Sequence, residues 1–198
     1  VAWGMTNNIC SLRDLYQEKT DADHPNCFLY DGQWEPWHER TETIDVRHEP
    51  AVVKEIRISR NGPIVDESLP PPANATGPVA LKWLGMFEGG WLTAMLAMNR
   101  ARNVAEFNDA LRPWHVPTFS LVFADTAGDS GLKISGRIPL RQVEERGYRP
   151  GWDPAHQWDG LLAFENMPGV INPEQGFAMT ANNPVATDDF PFPLSCTS

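Results

Sequence analysis

Thr118-Phe119-Ser120-Leu121-Val122-Phe123-Ala124, a polar turn at Gly128-Asp129, and Leu132-Lys133-Ile134-Ser135-Gly136-Arg137-Ile138 read together as one β-hairpin. Apolar β-formers fill both arms, and glycine and aspartate suit the turn for backbone reasons. Upstream, Gly90–Asn99 and Val104–Leu111 carry helical periodicity. Trp91, Met95 and Met98 fall at i, i+4 and i+7 as a core stripe, and Phe107 and Leu111 share a second face. Pro113 ends the second helix, since it has no N–H to donate.

Further towards the N-terminus the pattern is strand-like. Ala2–Thr6, Asp14–Glu18 and Phe28-Leu29-Tyr30 before an Asp31-Gly32 turn are expected strands. Thr43-Ile44-Asp45-Val46 and Val53–Ile58 follow, the latter with Ile56 and Ile58 on one face. Asn61-Gly62-Pro63 predicts a tight turn, and the proline-rich Leu69–Gly77 a surface loop. After the hairpin, Gly147–Gly160 reads as a loop pinned by Tyr148, Trp152 and Trp158, and Gly176–Ala181 as a last strand. The expectation is a single α/β domain of α+β character over residues 1–198, mostly antiparallel, with two clear helices.

Composition narrows the function. A net charge of -10 and scattered basic residues, densest at Arg100-Ala101-Arg102, argue against a nucleic-acid partner. No apolar run approaches the roughly 18 residues that cross a membrane. Val1-Ala2-Trp3-Gly4 is not a signal peptide, and a chain opening abruptly in strand-like sequence is expected to be cut from a longer protein. Cys10, Cys27 and Cys196 show no CxxC spacing, so neither a zinc ribbon nor a redox pair is expected, and the odd count leaves a thiol unpaired.

Several local motifs lead nowhere. Gly128-Asp129-Ser130-Gly131 resembles the start of a serine-protease nucleophile signature, but the histidine-bearing segment that chemistry needs is missing. Asp21, Asp23, His24 and Cys27 mix hard and soft ligands without metal spacing. His38, His48, His115 and His156 each stand without a second ligand at i+4.

The order of short matches along the chain is more telling. Ala2-Trp3-Gly4-Met5-Thr6-Asn7 is followed by Asp14-Leu15-Tyr16, then by Arg60-Asn61-Gly62-Pro63-Ile64-Val65. Asn99-Arg100-Ala101-Arg102-Asn103 precedes Glu106-Phe107, and Phe123-Ala124-Asp125 precedes Gly136-Arg137-Ile138-Pro139-Leu140-Arg141. Pro150-Gly151-Trp152, Trp158-Asp159-Gly160, Asn172-Pro173, Gly176-Phe177 and Ala181-Asn182-Asn183-Pro184 complete the series. Taken together, the whole chain resembles the catalytic subunit of penicillin acylases, which are N-terminal-nucleophile (Ntn) amide hydrolases.

That resemblance implies part of an αββα sandwich and hydrolysis of a linear amide such as an N-acyl β-lactam or N-acyl homoserine lactone. In the family a self-cleaved precursor exposes an N-terminal Ser, Cys or Thr that attacks the amide, with its own α-amine (pKa about 8) as base. The oxyanion then needs fixed donors, each worth roughly 3–4 kcal/mol of barrier. The resemblance assigns these to the backbone N–H of Asn7, beside Thr6, and to the side-chain amide of Asn182. It assigns the acyl pocket to Met5, Met95 and Phe119, with Thr6 alongside, and their apolar character suits an aromatic or aliphatic acyl group.

No cofactor is required for that chemistry. A structural calcium is a further implication, with Asp14 as one ligand, Ser11 where an Asp is common, and Asp188 and Asp189 near the last ligand. The implied partners are the small-molecule amide substrate and the remaining acylase, both alpha subunit and rest of the catalytic subunit. The 198 residues alone, which open on Val1, are expected to be inactive. Cut sheet edges would favour self-association, and extracytoplasmic residence follows from the resemblance alone. Two other readings stand beside this one: an aromatic binding module stacking ligands on Trp3, Trp34, Trp37, Trp152 and Trp158, and an acylase homologue that has kept the fold without the chemistry.

Overall fold

In the computed structural model, residues 1–8, 10–145, 147–184, 186–187 and 189–192 are described. Asp188, Cys196 and the end of the tail lie outside them. The strands run in chain order β1 (Ala2–Asn7), β2 (Arg13–Gln17), β3 (Cys27–Tyr30), β4 (Gln33–Pro36), β5 (His38–Ile44), β6 (Val52–Ser59), β7 (Gly62–Pro63) and β8 (Val79–Trp83). Helices α1 (Trp91–Met98) and α2 (Val104–Ala110) follow. Then come β9 (Phe119–Ala124), β10 (Ser130–Ile134), β11 (Pro139–Arg141), β12 (Arg149–Pro150), β13 (Trp158–Leu161) and β14 (Gly169–Ile171). The fold is mixed α+β: β12 runs parallel to β2, and the pairings β1–β9, β9–β10, β10–β14, β2–β8, β3–β4, β5–β6 and β6–β7 are antiparallel. Contacts divide the chain into two compact units, one of residues 1–12, 84–140 and 158–198 and the other of 13–83 and 141–157.

The first unit is built on a sheet in the order β1-β9-β10-β14. Its centre is the hairpin expected from the sequence, with Lys133 opposite Leu121 and Leu132 opposite Val122. Asp125 closes the hairpin loop: one carboxylate oxygen accepts the N–H groups of Ala127 and Asp129. Its other oxygen accepts the Val104 N–H at 3.0 Å, which ties the loop to the start of α2. Hydrogen bonding to backbone N–H groups holds this carboxyl below the ordinary aspartate range. Helix α2 begins in a capping box. Asn103 accepts from the Glu106 N–H at 2.8 Å, and the Glu106 carboxylate accepts from the Arg102 N–H at 2.9 Å.

Strand alternation sends Leu121 and Phe123 to the helices. There they form a core with Ala94, Met98, Val104, Phe107, Leu111 and Trp114. The other face carries Leu132 and Ile134 into a second core with Ile138, Leu162 and Met167. Burial of each such side chain contributes about 1.5–3 kcal/mol. Helix α1 enters through Gly90 at φ 79, where a Cβ would come 1.8 Å from the Pro113 carbonyl oxygen. Only glycine fits that approach.

The second unit holds a β12-β2-β8 sheet, the β3-β4 hairpin and the β5-β6-β7 meander. Asp31 and Gly32, at φ 46 and 73, make the two-residue hairpin turn that the sequence predicts. Tyr16 and Arg149 are both buried and converge on the His156 carbonyl, at 2.9 and 3.0 Å. Glu18 is buried beneath Ser59 and Asn61, which donate to one carboxylate oxygen at 2.5 and 3.1 Å. The other oxygen lies where a Cβ on Gly151 would sit, 2.3 Å away.

Some expectations need correction. Gly176–Ala181 forms no strand, because it finds no partner, and Phe177 and Met179 are exposed. The sheet ends instead on Gly169–Ile171, paired to β10. Trp91 is 45% exposed, and the buried face of α1 is Ala94 and Met98, so the predicted stripe is rotated about the helix axis. The turn after β6 sits on Arg60-Asn61, with Gly62-Pro63 already paired to β6. The expected loop at 147–160 contains the short β12 and the start of β13.

Candidate active site

The candidate residues Met5, Thr6, Asn7, Met95, Phe119 and Asn182 all belong to the first unit. Strand β1 pairs with β9 in a continuous register from Ala2↔Ala124 to Asn7↔Phe119, and it is the outermost strand of its sheet. Successive side chains therefore alternate between faces along a strand whose far side is open.

Thr6, opposite Ser120, points to the face away from the helices. Its hydroxyl donates to the Asn182 side-chain oxygen. Asn182 sits at φ 61, a left-handed conformation that asparagine tolerates better than most residues. Asn183 fixes that turn: its side-chain oxygen accepts from the Ala181 N–H at 3.0 Å, and its Nδ2 donates to the Pro184 carbonyl at 3.0 Å. With its oxygen committed to Thr6, the Asn182 carboxamide turns its NH2 away from that bond, and the NH2 meets no acceptor among the described residues. One peptide bond along β1 from Thr6 lies the N–H of Asn7.

The apolar candidates lie on the opposite face of the same strand. Met5 faces Leu121 across the pair and is 45% exposed, and Phe119 is its diagonal neighbour. Phe119 meets Trp114 edge-on at 5.9 Å, and Met95 packs against the same core. Polar and apolar groups thus occupy two faces of β1 and share only its free edge.

Asp14 belongs to the second unit. Its carboxylate accepts from Arg141 Nε at 2.8 Å, and Arg149 Nε lies at 4.0 Å; these arginine side chains are 1% and 2% exposed. A calcium ion there would face two buried positive charges and compete for a carboxylate already neutralised. Among the described residues no group of three or more His, Cys, Asp and Glu side chains could hold a metal. Asp188, a further ligand the resemblance implies, lies outside the described residues.

The decoys have local roles. Asp21 accepts from the backbone N–H groups of Asp23 and His24, and Ser130 donates its N–H to Asn172. Burial pushes the Cys10 thiol up to about 11, so it stays protonated at neutral pH. Cys10 and Cys27 are both free thiols. Trp37 is buried and Trp3, Trp34, Trp152 and Trp158 are half-buried, which removes the basis for an exposed stacking surface. Sequence reasoning missed the Asn183 clamp, although Asn-Asn-Pro is turn chemistry. It also missed Asn8 and Ser120, whose buried side-chain polar atoms have no hydrogen-bond partner. Nothing in their local sequence marks them.

The family model for penicillin amidase matches residues 1–198. An acyl-homoserine lactone acylase (QuiP) of Pseudomonas aeruginosa is 30% identical over 194 residues, covering 92% of this chain and 23% of the relative. Penicillin acylase 2 proenzyme of a Pseudomonas species is 31% identical, covering 96% of this chain and 24% of its own length. The chain therefore spans about a quarter of the length of these curated relatives. Among solved structures, a thermostable penicillin G acylase from Alcaligenes faecalis superposes with a TM-score of 0.81 at 24% identity. That match covers 99% of this chain and 34% of the other.

Proposed function

The chain belongs to the penicillin amidase family, and from that premise we propose that it is the oxyanion-binding and acyl-binding part of an acylase that hydrolyses linear amides. The substrate class is an N-acyl β-lactam, an N-acyl homoserine lactone or a related amide with an apolar acyl group. The observation that carries this reading is the bond from Thr6 to the Asn182 oxygen. It orients a neutral carboxamide so that its NH2 is left to donate, and ties Asn182 to the residue that precedes Asn7 in β1.

In the proposed mechanism the remainder of the acylase supplies the nucleophile, with its α-amine as base. As the nucleophile adds to the amide carbon, charge gathers on the carbonyl oxygen, which the Asn7 N–H and Asn182 Nδ2 stabilise. Neutral donors suit this task because they hold the charge without surrendering a proton. Met5, Met95 and Phe119 receive the acyl chain on the other face of β1. Self-cleavage of a precursor and extracytoplasmic residence belong to the same proposal and rest on family membership.

The test is Asn182→Ala in the full-length acylase, assayed on a chromogenic phenylacetyl amide and on an N-acyl homoserine lactone. Turnover is expected to fall about 100- to 1000-fold. A loss under threefold removes Asn182 from the oxyanion site.

A further inference from the structure

Lys133 and Arg137, on β10 and just beyond it, are each only 9% exposed, and neither has an acid within salt-bridge range among the described residues. Lys133 Nζ donates to the Met167 carbonyl at 2.7 Å. Arg137 Nη2 donates to the Arg112 carbonyl at 2.7 Å, while its Nη1 is buried with no partner. Both cations lie over the Phe164 ring, at 4.8 and 5.0 Å from its centroid. Arg112 also borders the ring, at 4.8 Å, but its charge is taken up by Glu165 and Asp109. Burial pushes both the Lys133 and the Arg137 pKa down. Neither buried positive charge has an ion pair of its own among the described residues; Glu165, which attracts both at longer range, is already paired with Arg112.

Beside them is a recess of 270 Å³ lined by Lys133, Arg112, Phe164, Glu165, Gly169 and Ile171, among others. Gly169 makes room for the lysine, since a Cβ there would stand 2.5 Å from Lys133 Cδ. Its wall combines the Lys133 cation, the Arg112–Glu165 ion pair, an aromatic ring and an aliphatic side chain. A phosphate would leave the apolar wall unused, and a neutral apolar molecule would leave the cations uncompensated. It is also distinct from the Thr6–Asn182 pair. Lys133 and Gly169 are on β10 and β14, whereas Thr6 is on β1 at the far edge of the same sheet.

We propose that this recess binds a small carboxylate whose apolar body rests on Phe164 and Ile171 and whose anion faces Lys133. The probe is benzoate, titrated calorimetrically into the full-length acylase at constant ionic strength set with chloride. Saturable binding is expected, weakened about tenfold in Lys133→Met and also in Ile171→Trp, which fills the mouth of the recess. The same site should persist in Met5→Trp, which fills the proposed acyl pocket on β1 and so separates the two sites. No saturable binding to the wild type, or an affinity within threefold of wild type in Ile171→Trp, overturns the proposal. Ile171 is 45% exposed, so that variant decides the matter even if Lys133→Met does not fold.

Discussion

Thr6 and Asn182 lie 176 residues apart in sequence, yet the threonine hydroxyl donates to the asparagine side-chain oxygen. The bond selects one of the two amide orientations. If that selection is what Thr6 contributes, Thr6→Val in the full-length acylase lowers kcat by up to about tenfold, the worth of one ordinary hydrogen bond. KM should change little, and Thr6→Ser, which keeps the hydroxyl, should restore most of the rate. Equal rates for the Val and Ser variants would refute the positioning role.

The Asp14–Arg141 pair predicts a protein indifferent to calcium at this position. Melting temperature should be the same in excess calcium and in EDTA. Arg141→Met should instead destabilise by up to roughly 3–5 kcal/mol in chemical denaturation, because it removes the nearer of the two arginines beside a largely buried carboxylate. A calcium-dependent rise in melting temperature that vanishes in Asp14→Asn would contradict this.

Glu18 supplies a pH dependence of known sign. Burial raises its carboxyl above the ordinary value of 4.5, against the hydrogen bonds from Ser59 and Asn61. The folded state therefore holds this proton more tightly than the unfolded chain does. Its contribution is full below about pH 4.5 and declines as pH rises through the raised folded value. Glu18→Gln keeps the shape without the charge. The variant should be more stable than wild type at pH 8, and the difference should shrink towards pH 4. Parallel melting curves at both pH values would refute the assignment.

Gly90 marks the entry to α1. Gly90→Ala forces a side chain into φ 79 and against the Pro113 carbonyl, so a loss of at least about 1–3 kcal/mol is expected from the backbone alone. Guanidinium denaturation of the variant measures it.

The hairpin and both helices were legible because their signals are local: apolar runs, Gly128-Asp129 in the turn and Pro113 after α2. β14 was not, since three exposed residues, Gly169–Ile171, have no period and become a strand only by pairing to β10. Gly176–Ala181 shows the reverse, strand-like residues that pair with no strand among the described residues. The same contrast runs through the site. Asn182 reads locally as a turn residue, and its contact with Thr6 spans most of the chain. Asp14 enters as a metal ligand through the resemblance alone, and the bond it accepts from Arg141, 127 residues away, leaves no local mark either. Periodicity reports on neighbours in sequence, so partners brought together by the fold leave no trace in it.

Alternation along β1 has an evolutionary corollary. Side chains that would sense the acyl group and those that would steady the reacting carbonyl hang from adjacent residues but project in opposite directions. Exchanging Met5 or Phe119 could retune which molecule is accepted while the Thr6–Asn182 latch stays untouched. A scaffold built this way lets acyl preference shift by single substitutions on one face while the other face keeps its contacts.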